Sequence, residues 1–173
     1  MKSNRRLPGT LLTLITLAGG LAACGQIEDT AAALEASKIT MIEAIKAAKT
    51  GALADGTPTE VELKMIDGQP RYNVELVLEG GVTSVAVDGV SGEVLETAVV
   101  ELDVDEQRII DELMLVDAEQ RLGLQGALKE AMKNTENGRP VEVDLEEQEG
   151  ELVYDIRLLV GNLIQKEIVK IRQ

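Results

Sequence analysis

The sequence predicts an α+β fold of two tandem units, each a helix packed on a small antiparallel β-meander. Three observations lead there. Residues 67–76 return loosely as residues 149–158, and both stretches read Gly-x-x-x-Tyr-x-(Val/Ile)-x-Leu. Tyr72 and Tyr154, which mark the two copies, are the only aromatic residues in the chain. Around each copy the apolar residues change from helical spacing to strict alternation, and internal similarity of this kind fixes an architecture before any single motif does.

In chain order, residues 25–30 read as a short polar tether. Residues 31–49 are rich in Ala, Glu and Lys and free of Gly and Pro, with Leu34, Ile39, Ile42 and Ile45 near helical spacing. Ser37 or Thr40 breaks this run and caps a second segment, so the packed helix is expected over 38–49. Gly51 ends it, and Gly56-Thr57-Pro58 makes a loop. Val61, Leu63 and Met65 then alternate with Glu60, Glu62 and Lys64, the two-residue period of a half-buried strand. Asp67-Gly68 is a strong hairpin signal, returning into a strand with Tyr72, Val74, Leu76 and Leu78 inward. Gly80-Gly81 turns into a strand with Val85 and Val87 inward, and residues 88–92 turn into a further extended run over 93–103.

From Asp105 the helical period resumes. Ile109, Ile110, Leu113 and Leu115 suit a linking helix over 104–116. Asp117 reads as the N-cap of a helix over 118–133 that carries Leu122, Leu124, Leu128 and Met132. Asn137-Gly138, a strand with Val141, Val143 and Leu145 inward, a hairpin at Glu149-Gly150, a strand with Tyr154, Ile156, Leu158 and Val160 inward, and a last strand with Val169 and Ile171 inward complete the chain. The first two strands of each unit match at an offset of 82 residues and the helices at 83, as expected of a duplication with one residue lost between.

The N-terminus stands apart. Lys2, Arg5 and Arg6 precede a short apolar run over 11–17, then Leu21-Ala22-Ala23-Cys24. The run is too short for a stable membrane-spanning helix and has the layout of an export signal. Leu21, Ala22, Ala23 and Cys24 match the bacterial lipobox, so residues 1–23 resemble a lipoprotein signal peptide. That resemblance implies acylation of Cys24 and a membrane anchor through lipid. Cys24 is the only cysteine and has no disulfide partner, which fits a modified thiol in an oxidising compartment. The alternative is an ordinary signal peptide cut beside a chance cysteine. Gly25 rather than Asp after the cysteine resembles outer-membrane sorting in Gram-negative bacteria. Loss of residues 1–23 removes three cations and no acid from a chain whose net charge is already −14. Such a surface repels nucleic acid and anionic headgroups.

The order helix, strand, Gly-x-x-x-Tyr hairpin, strand, then Val87-Asp88-Gly89-Val90-Ser91-Gly92-Glu93-Val94-Leu95, resembles the PepSY domain. Gly68, Tyr72, Val74, Asp88 and Gly92 carry the motif in the first copy over 38–103. Gly150, Tyr154 and Ile156 carry it in the second, over 117–173, which lacks the Asp-x-x-x-Gly-Glu segment and is truncated and divergent. Beside the motif, these residues read as structural: glycines for turns, tyrosines as core rings. The family resemblance implies a non-catalytic module of the cell envelope whose partner is another envelope protein, such as a peptidase that it inhibits or regulates.

The residues point the same way. The chain has no histidine, which excludes imidazole chemistry and any ordinary zinc or copper site. Ser37, Ser84 and Ser91 sit in no nucleophile motif, and no phosphate loop or dinucleotide fingerprint occurs. The expectation is therefore no enzyme, no cofactor and no small-molecule substrate. Glu142, Asp144 and Glu146 line one strand face but are spaced too widely to wrap a calcium ion on their own. A scaffold lipoprotein without inhibitory role, or a weak cation binder, are the alternatives. Cys24→Ala is expected to release the protein from the membrane fraction, and intact-mass measurement of the wild type should show Cys24 carrying acyl chains; an unmodified thiol would refute the anchor.

Overall fold

The computed structural model describes the backbone of residues 20–172 and the side chains of residues 28–172. The chain runs α1 (Gly20–Ala36), α2 (Met41–Ala48), a 3-10 turn (Gly51–Leu53), β1 (Thr57–Ile66), β2 (Gln69–Leu78), β3 (Gly81–Asp88), β4 (Val94–Val100), α3 (Val104–Leu115), α4 (Leu124–Asn134), β5 (Arg139–Gln148), β6 (Glu151–Val160) and β7 (Leu163–Lys170). All seven strands form one antiparallel sheet in the order β4-β3-β2-β1-β5-β6-β7. The fold is α+β, as expected.

Alternation decides which face the helices cover. Val61, Tyr72, Val74, Leu76, Val85 and Val87 from one half of the sheet, and Val143, Tyr154, Ile156, Leu158 and Val169 from the other, are all buried on that face. Against them pack Met41, Ala44, Ile45 and Ala48 of α2, and Leu124, Ala127, Leu128 and Ala131 of α4. The alanines let both helices sit close to the strands, and the apolar atoms form one continuous core. The two expected units therefore share a sheet and a core and are not separate layers.

Two hairpins frame the centre. Asp67-Gly68 and Glu149-Gly150 join β1 to β2 and β5 to β6, and all four residues have positive φ, between 51° and 81°. Both loops take the left-handed geometry that matches strand twist, which glycine adopts without strain. Each hairpin also carries one register shift just after a proline, between Pro58 and Glu60 in the first and between Pro140 and Glu142 in the second. The hairpins meet where β1 pairs with β5, with Val61 opposite Val143 and Glu62 opposite Glu142.

Thr40 starts α2. Its side chain accepts from the Glu43 amide at 3.2 Å while the Glu43 carboxylate accepts from the Thr40 amide at 2.7 Å, a closed capping box. Asp103 and Glu106 do the same for α3, where the sequence places a linking helix.

Two expectations fail. The tether over 25–30, part of the stretch 24–37 read as lipidated cysteine and tether, is instead continuous with α1. Its cause lies downstream: Ala33 is fully buried and Leu34 packs on the core, so tertiary contact extends a helix that its polar residues alone do not specify. Asp117 does not cap the fourth helix. Its carboxylate accepts from the Glu119 amide in a short turn, after which Arg121 bridges Arg172 and the Leu122 amide donates to Ile171 at 2.8 Å. That tie to the end of the sheet holds residues 121–122 extended, and α4 begins only after Gly123. The signal peptide reading lies outside the described residues over 1–19, and Leu21, Ala22, Ala23 and Cys24 fall on the backbone of α1.

Thr40→Ala opens the capping box and is expected to lower stability by about 1 kcal/mol, measured as a reduced urea midpoint with unchanged slope.

Candidate functional site

The motif residues serve turns and core. Tyr72 is buried, and its hydroxyl donates to the Ile39 carbonyl at 3.0 Å, beside Ser37 Oγ at 3.3 Å. Burial pushes its phenol above the ordinary value. Ser37 Oγ also reaches the carbonyls of Ile39 and Gly89, so the ring fastens the break between α1 and α2 to the turn after β3. Tyr154 is buried at the matching place, next to the backbone of Leu124, with its phenol pushed up to about 12 by burial. Asp88 Oδ1 accepts from the amides of Val90 and Ser91 and from Ser91 Oγ, which holds its carboxyl below the usual range and shapes the turn that Gly92 closes at φ 77°. Val74 and Ile156 are core, and Gly68 and Gly150 are turn residues. Tyr72, Val74, Tyr154 and Ile156 are buried, and the more exposed Asp88 is spent on capping its own turn.

The chemistry gathers on the other face of the sheet, at its centre. Val61 and Val143 point to the helices, so their neighbours Glu60, Glu62, Glu142 and Asp144 point away from them, two on each side of the β1–β5 seam. Each carboxylate has a different environment. Glu62 pairs with Lys64 at 2.5 Å, and Glu142 with Arg157 of β6 at 2.6 Å. Glu60 faces Glu75 on β2, and Asp144 faces Asp155 on β6, a like charge in each case.

Glu60 and Asp144 respond accordingly. Burial, then the charges of Glu75, Glu62 and Glu142, raise Glu60 to about 7. Burial, then the charge and hydrogen bond of Glu142, raise Asp144 to about 7, with Glu60 adding to the repulsion. Burial also raises Glu75, helped by Glu106 of α3. Asp155 is fully buried, and the Lys166 ammonium on β7 is its ion-pair partner.

A cavity of about 490 Å³ opens beside Glu62, Glu142, Lys64 and Arg157, and a smaller one of about 170 Å³ beside Glu60, Asp144, Glu75 and Glu106. Chemically the seam can hold and release protons near neutrality and can meet a cation. Among the described residues, no group of three or more Asp, Glu, His or Cys is placed to hold a metal ion. No described helix is long and apolar enough to cross a membrane.

Sequence reading found half of this cluster. It grouped Glu142 and Asp144 with Glu146 as one strand face, but Glu60 and Glu62 were seen only as the polar side of a distant strand. Their equal spacing in both hairpins was the available signal. What no spacing reveals is that β1 and β5 lie side by side. Glu147 and Glu151, at the hairpin that follows, pair with Arg108 and Lys170.

The sign of the pH dependence follows from the raised values. Folded Glu60 and Asp144 keep their protons where the unfolded chain, with ordinary carboxyls near pH 4, has lost them. Folding therefore takes up protons between about pH 4 and about pH 7, and stability falls as pH rises through that window. Below it, Glu43 and Asp88, both lowered, act in the opposite sense. Circular-dichroism melts are expected to give a higher Tm at about pH 5 than at about pH 8, and Asp144→Asn should flatten that slope.

Residues 38–98 match the PepSY family model, described as the peptidase propeptide and YPEB domain. No curated protein matches the chain. A crystal structure from Clostridium difficile 630, of a protein described as a candidate lipoprotein, is similar at 21% identity and a TM-score of 0.46, covering 79% of this chain and 89% of that one. From the approach to α2 as far as the middle of β4, the chain thus carries one PepSY match.

Proposed function

We propose that this chain is a non-catalytic lipoprotein of the cell envelope, in which two tandem PepSY-like units bind, and regulate, another envelope protein such as a peptidase. The observation that carries this reading is the match of residues 38–98 to a family described by peptidase propeptides.

A second unit over 117–173 is supported by agreement in detail. The register shifts at Pro58/Glu60 and Pro140/Glu142 and the hairpins at Gly68 and Gly150 all sit 82 residues apart. So do the acceptors of the amide bonds Ile39→Gly89 and Leu122→Ile171, while the donors sit 83 apart. Val61 and Val143, equivalent at the same offset, face each other across the seam, which makes the seam an approximate twofold axis between the units. The lipobox over 21–24 supports a lipid anchor that leaves the protein facing the periplasm or the exterior, at the outer membrane in a Gram-negative cell.

The purified chain is expected to slow one or more envelope peptidases in a saturable way and to crosslink reproducibly to that peptidase in envelope extracts. A reproducible partner whose activity is unchanged would assign a scaffold role. No reproducible partner at all would refute the binding function.

A further inference from the structure

The two free edges of the sheet are built differently. At one end, Lys166 and Lys170 of β7 engage Asp155 and Glu151 on the neighbouring strand. Lysines on an outermost strand are a common guard against stray pairing. At the other end β4 has no lysine, arginine or proline. Six of its seven residues are exposed, so the strand is open on both faces, and Val99 is 80% and Leu95 48% exposed. Helix α2 packs on β1, β2 and β3, which leaves β4 as a ledge beyond the helix layer.

Charge is equally lopsided. From Tyr72 to Gln107 the chain carries nine carboxylates and no lysine or arginine. Glu96 lies opposite Ala86 on the face away from the helices, while Val99 lies opposite Thr83 on the helix side. A strand laid along β4 would therefore meet mostly apolar surface, with Glu96 within the edge and Glu93 and Glu101 at its two ends as the charges to be answered.

We propose that β4 is a docking edge for an extended strand of a partner protein, rich in apolar and cationic residues, which joins the sheet as an eighth strand. The proposal rests on the reading of this chain as a binding module and names the surface and the chemistry of its partner. Main-chain hydrogen bonds supply affinity in this mode, and side chains on alternate faces supply selectivity. A second copy of the chain is the poorer occupant. β4 against β4 brings together two acidic segments without a cation between them, and the lysines of β7 are already engaged within their own sheet.

The test uses the full chain in neutral detergent and a blocked octapeptide of alternating lysine and valine, read by amide hydrogen exchange with mass spectrometry. Saturable protection confined to the segment of β3 and β4 is expected, weakening with added salt. Val99→Lys places a guard on the edge without touching the core, and should weaken peptide binding by about tenfold with an unchanged Tm. Equal binding of a glutamate–valine octapeptide, protection elsewhere in the chain, or no binding would overturn the proposal. Protection of β4 in concentrated protein without peptide would also overturn it, in favour of a second copy. An envelope partner that crosslinks equally well to the Val99→Lys protein would refute the edge and leave the binding function standing. Uptake of the peptide on β4 by a chain without any envelope partner would do the reverse.

Discussion

The seam between β1 and β5 is the constraint on which the molecule depends. Val61 and Val143 face each other there, fully buried, and every strand on either side is reached through that contact. The pairing is short, so the backbone alone gives it little strength; the covering helices and the apolar atoms beneath them hold it closed. On the opposite face the same two strands bring four carboxylates together, an arrangement that works against the contact. The central join is thus a balance between apolar burial on one side and charge repulsion on the other. Protons shared near neutrality reduce the second term. Both halves of the sheet inherit their alignment from this balance, since a slip of one residue would turn the glutamates inward and the valines out.

Much of the fold was legible in the residues because it is local. Asp67-Gly68 announces a hairpin, Val61-Leu63-Met65 announces a face, and Thr40 followed by Glu43 announces the start of a helix. Each of these signals is satisfied by neighbours a few residues away. The misread elements depend on distant contacts. Residues 25–30 are helical because Ala33 and Leu34 further along find the core. Residues 118–123 are not, because Leu122 is tied to Ile171. The carboxylate cluster was half visible for the same reason: alternation shows which residues share a face of one strand, but not which strands become neighbours. Motif residues are informative in another way. Tyr72 and Tyr154 mark the architecture because each ring fills the space between sheet and helix, and a position that packs so completely has no surface left for chemistry.

The open face and the open edge lie where the internal demands of packing end. Helices α2 and α4 take one side of the sheet, and α2 stops short of β4, so the outermost strand keeps its apolar residues in solvent, on a part of the chain without a positive charge. Seen this way, the acidity of the protein is not uniform. Lysines and arginines of the second hairpin and of β7 answer nearby carboxylates, as Arg157 does for Glu142, while the first half leaves its acids unanswered from Tyr72 onward.

Asp155 and Lys166 give this difference a further consequence. At the corresponding places in the first half stand Asn73 and Ser84, joined by a neutral hydrogen bond of 2.8 Å, whereas Asp155 is a fully buried carboxylate answered by an ammonium. A serine at 166 beneath Asp155 would leave a buried carboxylate unanswered, a defect costing on the order of 3–5 kcal/mol. The order of exchange therefore matters: Asp155 must lose its charge before Lys166, whose ammonium is half exposed, can be replaced. β2 and β6 are in this way not interchangeable: β2 grafted in place of β6 would set an amide against Lys166. The two positions thus differ by a coupled pair of residues and not by either one alone.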